Sequence, residues 1–350
     1  MRDGNQYGRF WITSSPPDYI PYRYTFFRTM IRQYWKHTLY ACATALALLV
    51  ACGTVFSQDA PQPQPAPGLS SAPQHLPGSG VTQPDATKST SAGSKVPASA
   101  ERHFRQGVQF ERDGDSENAV EEYKAAIKEA PDYYEPHFNL GRLYIDRKGY
   151  ADATKELEIA VQLRPDDPKA RNNLGMALKH NGDLDGAAAQ YQEAVRLDPK
   201  MAGAQNNLAN VLYAKHDIVG AIQHYRAALA LEPKSAGTHI NLGSALDDAG
   251  RSDEAISEFR EAIQLDPGNA SAHYNLAIVY IKKKDTPNAI EQLRKAAKAS
   301  PDWPTPHIML TNLLKDTDPR AAFSECMVAD GLTQNAKLHD LCGELQKKVQ

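Results

Sequence analysis

Between residues 100 and 303 the apolar positions of this chain recur every 34 residues, and the spacing within each unit predicts helices. With units begun at Ala100, Tyr134, Pro168, Ala202, Ala236 and Ala270, position 20 is alanine six times: Ala119, Ala153, Ala187, Ala221, Ala255 and Ala289. Position 27 is alanine six times as well, and position 24 between them takes Tyr123, Leu157, Tyr191, Tyr225, Phe259 and Leu293. Small, large, small at spacings of four and three puts all three side chains on one helix face, shaped to receive a partner helix. Position 8 reads Gly107, Gly141, Gly175, Ala209, Gly243 and Ala277, which implies a second helix approaching so closely that almost no side chain fits. Prolines stand at position 32 (Pro131, Pro165, Pro199, Pro233, Pro267, Pro301), where each stops one unit before the next begins.

These residues at this period resemble the tetratricopeptide repeat family over residues 100 to 303. The resemblance implies an all-α fold, in which each repeat is an antiparallel pair of helices, A and B, and the pairs stack into a right-handed superhelix, an α-solenoid. Its concave wall would be built mainly from A helices. Stacked repeats bury each other's apolar faces, so both ends need caps. A degenerate seventh repeat follows Pro301, with Leu310, Thr311 and Leu314 at positions 7, 8 and 11 and Ala322, Cys326 and Ala329 arriving one residue early. A last helix from about Asn335 carries Leu338, Leu341, Cys342, Leu345 and Val349 on one stripe, which suits a lid. The repeats thus span 100–333 and the capping helix 334–350; the first repeat, with Gln106 where later copies have leucine, is the N-terminal cap.

Positions 2, 6, 9 and 13 of helix A lie opposite the stripe that meets helix B. Position 6 is asparagine in five successive repeats: Asn139, Asn173, Asn207, Asn241 and Asn275. Asparagine is a poor helix former, and a carboxamide both donates and accepts, which suits gripping a peptide backbone. The ladder resembles that of the repeat domain of O-linked N-acetylglucosamine transferase, whose asparagines hold extended polypeptide. The competing reading is that each asparagine bonds to a neighbouring repeat. Arg142, His180, Asn210 and Lys282 stand beside the ladder and complete the set of candidate peptide-binding residues. A carboxylate clamp of the kind some family members use is rejected. Lys169 would fit it, but asparagine stands at position 6 where the clamp needs arginine.

Histidine recurs at position 4 (His103, His137, His239, His273, His307). Packed helices lie roughly 8–10 Å apart, whereas ligands approach zinc to about 2 Å. Packing is therefore expected here, and no metal or cofactor.

Upstream the composition changes twice. Residues 58–99 are rich in Pro, Ser, Gly, Gln and Ala and predict a disordered linker. Residues 1–57 contain an apolar run from Leu39 to Phe56 preceded by Arg32 and Lys36, which reads as an export signal or membrane anchor. Leu49, Val50, Ala51 and Cys52 resemble a bacterial lipobox, implying lipidation of Cys52; cleavage after Ser57 and an uncleaved anchor are the other readings. Each places the repeats beyond the cytoplasmic membrane, on the periplasmic or cell-surface side. There Cys326 and Cys342 form an even pair suited to a disulfide.

Residues 100–350 carry about seven more acidic than basic groups, the wrong sign for nucleic acid. The sequence holds no phosphate loop, nucleophile elbow or clustered metal motif. The expectation is a non-enzymatic scaffold that binds a protein or peptide partner, associated with a membrane through its N-terminus alone. The alternatives are a pilotin-like assembly factor in type IV pilus biogenesis, an unanchored secreted adaptor, and, as the weakest, the substrate-recruiting part of a glycosyltransferase system.

Overall fold

The computed structural model describes residues 96–350. The signal or anchor segment, Cys52 and all but the last four residues of the linker lie outside the described residues. Among those described, every regular element is a helix. They are α1 (Ala98–Arg112), α2 (Ser116–Glu129), α3 (Tyr134–Asp146), α4 (Tyr150–Leu163), α5 (Pro168–His180), α6 (Leu184–Leu197), α7 (Ala202–Ala214) and α8 (Ile218–Leu231). After them come α9 (Ala236–Asp248), α10 (Ser252–Leu265), α11 (Ala270–Lys282), α12 (Thr286–Ala299), α13 (Pro304–Leu314), α14 (Pro319–Thr333) and α15 (Ala336–Val349). They fall into two compact units, 96–283 and 284–350.

In the first unit odd-numbered helices are A helices and even-numbered ones B helices. Each B helix packs against its own A helix and the next one, and successive A helices also touch. Aspartate starts three of these B helices: Asp115, Asp183 and Asp217 accept the third backbone N–H of α2, α6 and α8. The B helices end two residues before each proline; α4 stops at Leu163 and Arg164 leads into Pro165. The 20, 24, 27 pattern becomes a buried seam: Ala187, Tyr191 and Ala194 are all essentially without exposure. A β-carbon on Gly141 would stand 2.5 Å from Leu157 Cγ, and one on Gly175 2.8 Å from the Tyr191 ring. Position 8 therefore yields its volume to the large residue at position 24.

A second, longer period appears at the turns between A and B. The left-handed residue there is Gly114, Gly182 and Gly250 in the odd repeats, but Lys148, His216 and Lys284 in the even ones. Ion pairs follow the same alternation. Arg147 meets Glu117 at 3.9 Å, Lys215 meets Asp185, and Lys283 meets Asp253, each joining an even repeat back to the odd one before it. The true structural repeat of the turn edge is thus 68 residues.

The second unit holds α12 to α15. Cys326 of α14 is joined to Cys342 of α15 by a disulfide with Cα atoms 5.6 Å apart. Leu338, Cys342 and Leu345 are buried, so α15 lies on its apolar stripe, and Asn335 caps its start. Leu341 and Val349, placed on the same stripe by sequence, stay half-exposed at its edges.

Candidate functional site

Position 4 of helix A, the start of each repeat's packing, is where the histidines act. His137 places Nδ1 2.7 Å from Glu156 Oε2 and Nε2 2.9 Å from the Pro131 carbonyl oxygen. His239 repeats this with Glu258 at 2.7 Å and Pro233 at 3.1 Å. Where histidine is absent the bridge persists in other chemistry: Arg171 donates to Pro165 O at 2.8 Å and to Gln190 at 3.1 Å. Gln205 donates to Pro199 O at 3.4 Å and pairs with His224 at 2.7 Å. Position 4 therefore latches its own B helix to the proline carbonyl of the preceding repeat. Among the described residues no cluster of three metal-ligating side chains exists.

The candidate peptide-binding residues lie on the far side of the A helices, and they do not form a uniform ladder. Asn207 donates to Asn172 Oδ1 at 3.1 Å, and Asn241, itself buried, donates to Asn210 Oδ1 at 3.1 Å. Asn210 also accepts from Tyr225 at 2.6 Å. Asn139 makes one long contact, 3.4 Å, to the Tyr123 hydroxyl. Asn173 and Asn275 are half-buried and make no side-chain hydrogen bond among the described residues. The competing reading thus accounts for Asn207 and Asn241, while Asn173 and Asn275 keep their carboxamides available.

The residue one place earlier in the preceding repeat separates the two kinds. Asn207 follows Asn172, which can accept, whereas Asn173 and Asn275 follow Phe138 and Ile240, which cannot.

The flanking residues are engaged as well. Arg142 pairs with Glu111 and lies 3.7 Å from Asp146. Glu111 also accepts from Tyr123 at 2.9 Å, and burial, followed by the Glu111 charge, pushes the Tyr123 hydroxyl above the ordinary tyrosine range. His180 stacks on Tyr150 with ring centroids 4.3 Å apart; burial, then the neighbouring Lys179, hold its pKa below the usual value. Lys282 donates to Asp247 at 2.6 Å.

Position 12, which sequence reasoning passed over, carries a row of clasps between successive A helices. Glu111 holds Arg142 of the next repeat, Tyr213 donates to Asp248 at 2.5 Å, and Asp247 holds Lys282. Complementary residues 31 or 35 apart were the available signal. A strict period of 34 does not register such pairs.

Family models described as tetratricopeptide repeat match residues 103–133, 138–202, 181–236 and 240–304, which together cover more than half of the chain. The chain is a tetratricopeptide repeat protein. Among solved structures this repeat protein is similar to the C-terminal part of a repeat-containing protein from Cytophaga hutchinsonii, at 17% identity, 68% coverage of this chain, 98% of that one and a TM-score of 0.57. It is similar also to the pilF protein of Pseudomonas aeruginosa, at 20% identity, 61% and 97% coverage and a TM-score of 0.53. A MamA protein matches at 25% identity over 49% of this chain and 94% of that one, with a TM-score of 0.46. The first two likenesses concern the fold. No curated protein matches this repeat protein.

Proposed function

We propose that this repeat protein is a non-enzymatic scaffold that binds an extended segment of a partner protein along the A-helix wall of its first unit. The observation that carries the reading is the pair Asn173 and Asn275. They are carboxamides without a side-chain hydrogen bond among the described residues, on a stripe where every other candidate side chain is tied within the wall. A carboxamide can pair with both the N–H and the C=O of a strand-like peptide.

The same reading puts the repeats outside the cytoplasm, held at a membrane by the N-terminal segment. The disulfide between Cys326 and Cys342 supports that compartment, since such bonds persist where the medium is oxidising.

The test is photocrosslinking in the native envelope, with the crosslinker placed at Asn173 or Asn275 and, as a control, at Glu121 on α2. Partner adducts are expected from the A-helix positions and not from α2. Adducts from α2 alone would move the interface to the B helices.

A further inference from the structure

One place in the position 12 row stands empty of a partner. In the other charged or hydroxyl-bearing members of the row, the side chain reaches position 9 or position 13 of the next repeat: Glu111 to Arg142, Tyr213 to Asp248, Asp247 to Lys282. For Lys179 on α5 the corresponding residues are Asn210 and Ala214. Asn210 Oδ1 already accepts from Tyr225 and Asn241, and Ala214 offers nothing polar. Lys179 is half-buried and has no ion pair or hydrogen bond among the described residues.

The rest of α5 deepens the imbalance. The helix, PKARNNLGMALKH, has no acidic residue and carries Lys169, Arg171, Lys179 and His180. Arg171 is taken up by its latch. Lys169 at the start of the helix is exposed and unpaired among the described residues. α1 also leaves Arg102 and Arg112 unpaired among the described residues, but it carries Glu101 and Glu111 on the same helix; Lys282 on α11 is paired, and α7 is uncharged. These uncompensated cations sit within a repeat region that is acidic as a whole.

We infer that the Lys179 ammonium is the anchor for a carboxylate side chain of an acidic partner segment, with the free Asn173 carboxamide six residues earlier on the same helix. The inference rests on the A-helix wall being the binding surface. It differs from the clamp rejected above, which uses positions 2 and 6, because Lys179 stands at position 12, the place from which the other members of the row reach the next A helix. An ammonium held in partly desolvated surroundings without a counter-ion is destabilising. Burial accordingly keeps the Lys179 pKa below that of an ordinary lysine. An incoming carboxylate completes the clasp that the chain itself leaves open. Peptide is favoured over nucleic acid because two free lysines cannot neutralise a run of phosphates, and the repeat region as a whole is acidic.

The experiment uses the full chain and a fluorescently labelled eight-residue peptide of alternating Glu and Gly, with the Gln and Gly isostere beside it. The Glu peptide is expected to bind at least ten-fold more tightly than the Gln peptide at low salt, and the preference should shrink as salt rises. Lys179→Met should abolish the preference, Lys200→Ala should keep it, and the melting temperature of Lys179→Met should stay equal or rise. No preference for Glu, or one unchanged in Lys179→Met, overturns the inference. So does stronger competition by pyrophosphate or oligo-dT than by the Glu peptide, and so does a large fall in melting temperature, which marks a structural lysine. Partner crosslinks that stay on Asn173 and Asn275 in Lys179→Met at full yield would sink the lysine anchor and leave the wall standing.

Discussion

The His137 imidazole lies 2.7 Å from the Glu156 carboxylate on the B helix of its own repeat while its other nitrogen reaches back to the repeat before. One side chain thus fixes both the pairing of helices within a repeat and the seating of one repeat on another. His137 is almost fully buried, so its removal leaves Glu156 and the Pro131 carbonyl without their ring partner. His137→Ala should cost about 2 kcal/mol in urea unfolding. Transplanting the alternative chemistry tests the latch itself. His239→Arg with Glu258→Gln, which copies Arg171 and Gln190, should recover most of the stability that His239→Ala loses.

Gly141→Ala should cost roughly 1–3 kcal/mol, because its methyl group would overlap Leu157. Leu157→Ala, by cavity formation, should cost about 2–5 kcal/mol. The double variant should be less destabilised than the two losses added, since each change makes room for the other. Denaturant midpoints of the four proteins close the cycle.

The turn residues offer a reciprocal pair. Lys148 adopts φ 60° without being glycine, so Lys148→Gly should stabilise by roughly 1 kcal/mol. Gly182 adopts φ 89° with open space around its α-carbon, so Gly182→Ala should destabilise by about 1 kcal/mol through backbone strain alone. Thermal melts of both variants check the opposite signs.

Much of this architecture is legible in the sequence because it is fixed by volume. Ala187, Tyr191 and Gly175 recur at set positions since a single packing geometry is copied, and each copy needs the same space. The latches escape such a reading because the same bridge is His with Glu in one repeat, Arg with Gln in another and Gln with His in a third. The asparagine ladder misleads for the opposite reason. The residues are identical, but Asn207 donates to Asn172 in the preceding repeat while the corresponding residue for Asn173 is Phe138, which cannot accept, so equal letters have unequal freedom. The row at position 12 pairs residues by charge and reach, which a count of like residues does not register.

Acid should weaken the first unit. His180 and His224 are both held below the ordinary histidine value, chiefly by burial, so the folded chain favours their neutral forms. The unfolded chain takes up those protons near pH 6.5, so stability should fall as pH drops from about 6.5 toward 5. His180→Gln with His224→Gln should show a shallower fall over that interval, measured by unfolding at several pH values. An unchanged slope would locate the proton uptake elsewhere.

Reducing the Cys326–Cys342 bond opens a loop spanning 16 residues and should cost the second unit about 3 kcal/mol. Limited proteolysis should then cut within α15 in the presence of dithiothreitol and spare it otherwise.

The alternation at the turns bears on how such a chain can grow or shrink. Excising 68 residues, repeats two and three together, would bring Glu117 next to Lys215 and restore the pairing that Arg147 now supplies. Excising 34 would leave Glu117 facing Asn181, an acid with no base. The unit of duplication written into this edge of the molecule is a couple of repeats, and lengths that respect it keep every turn matched to its neighbour.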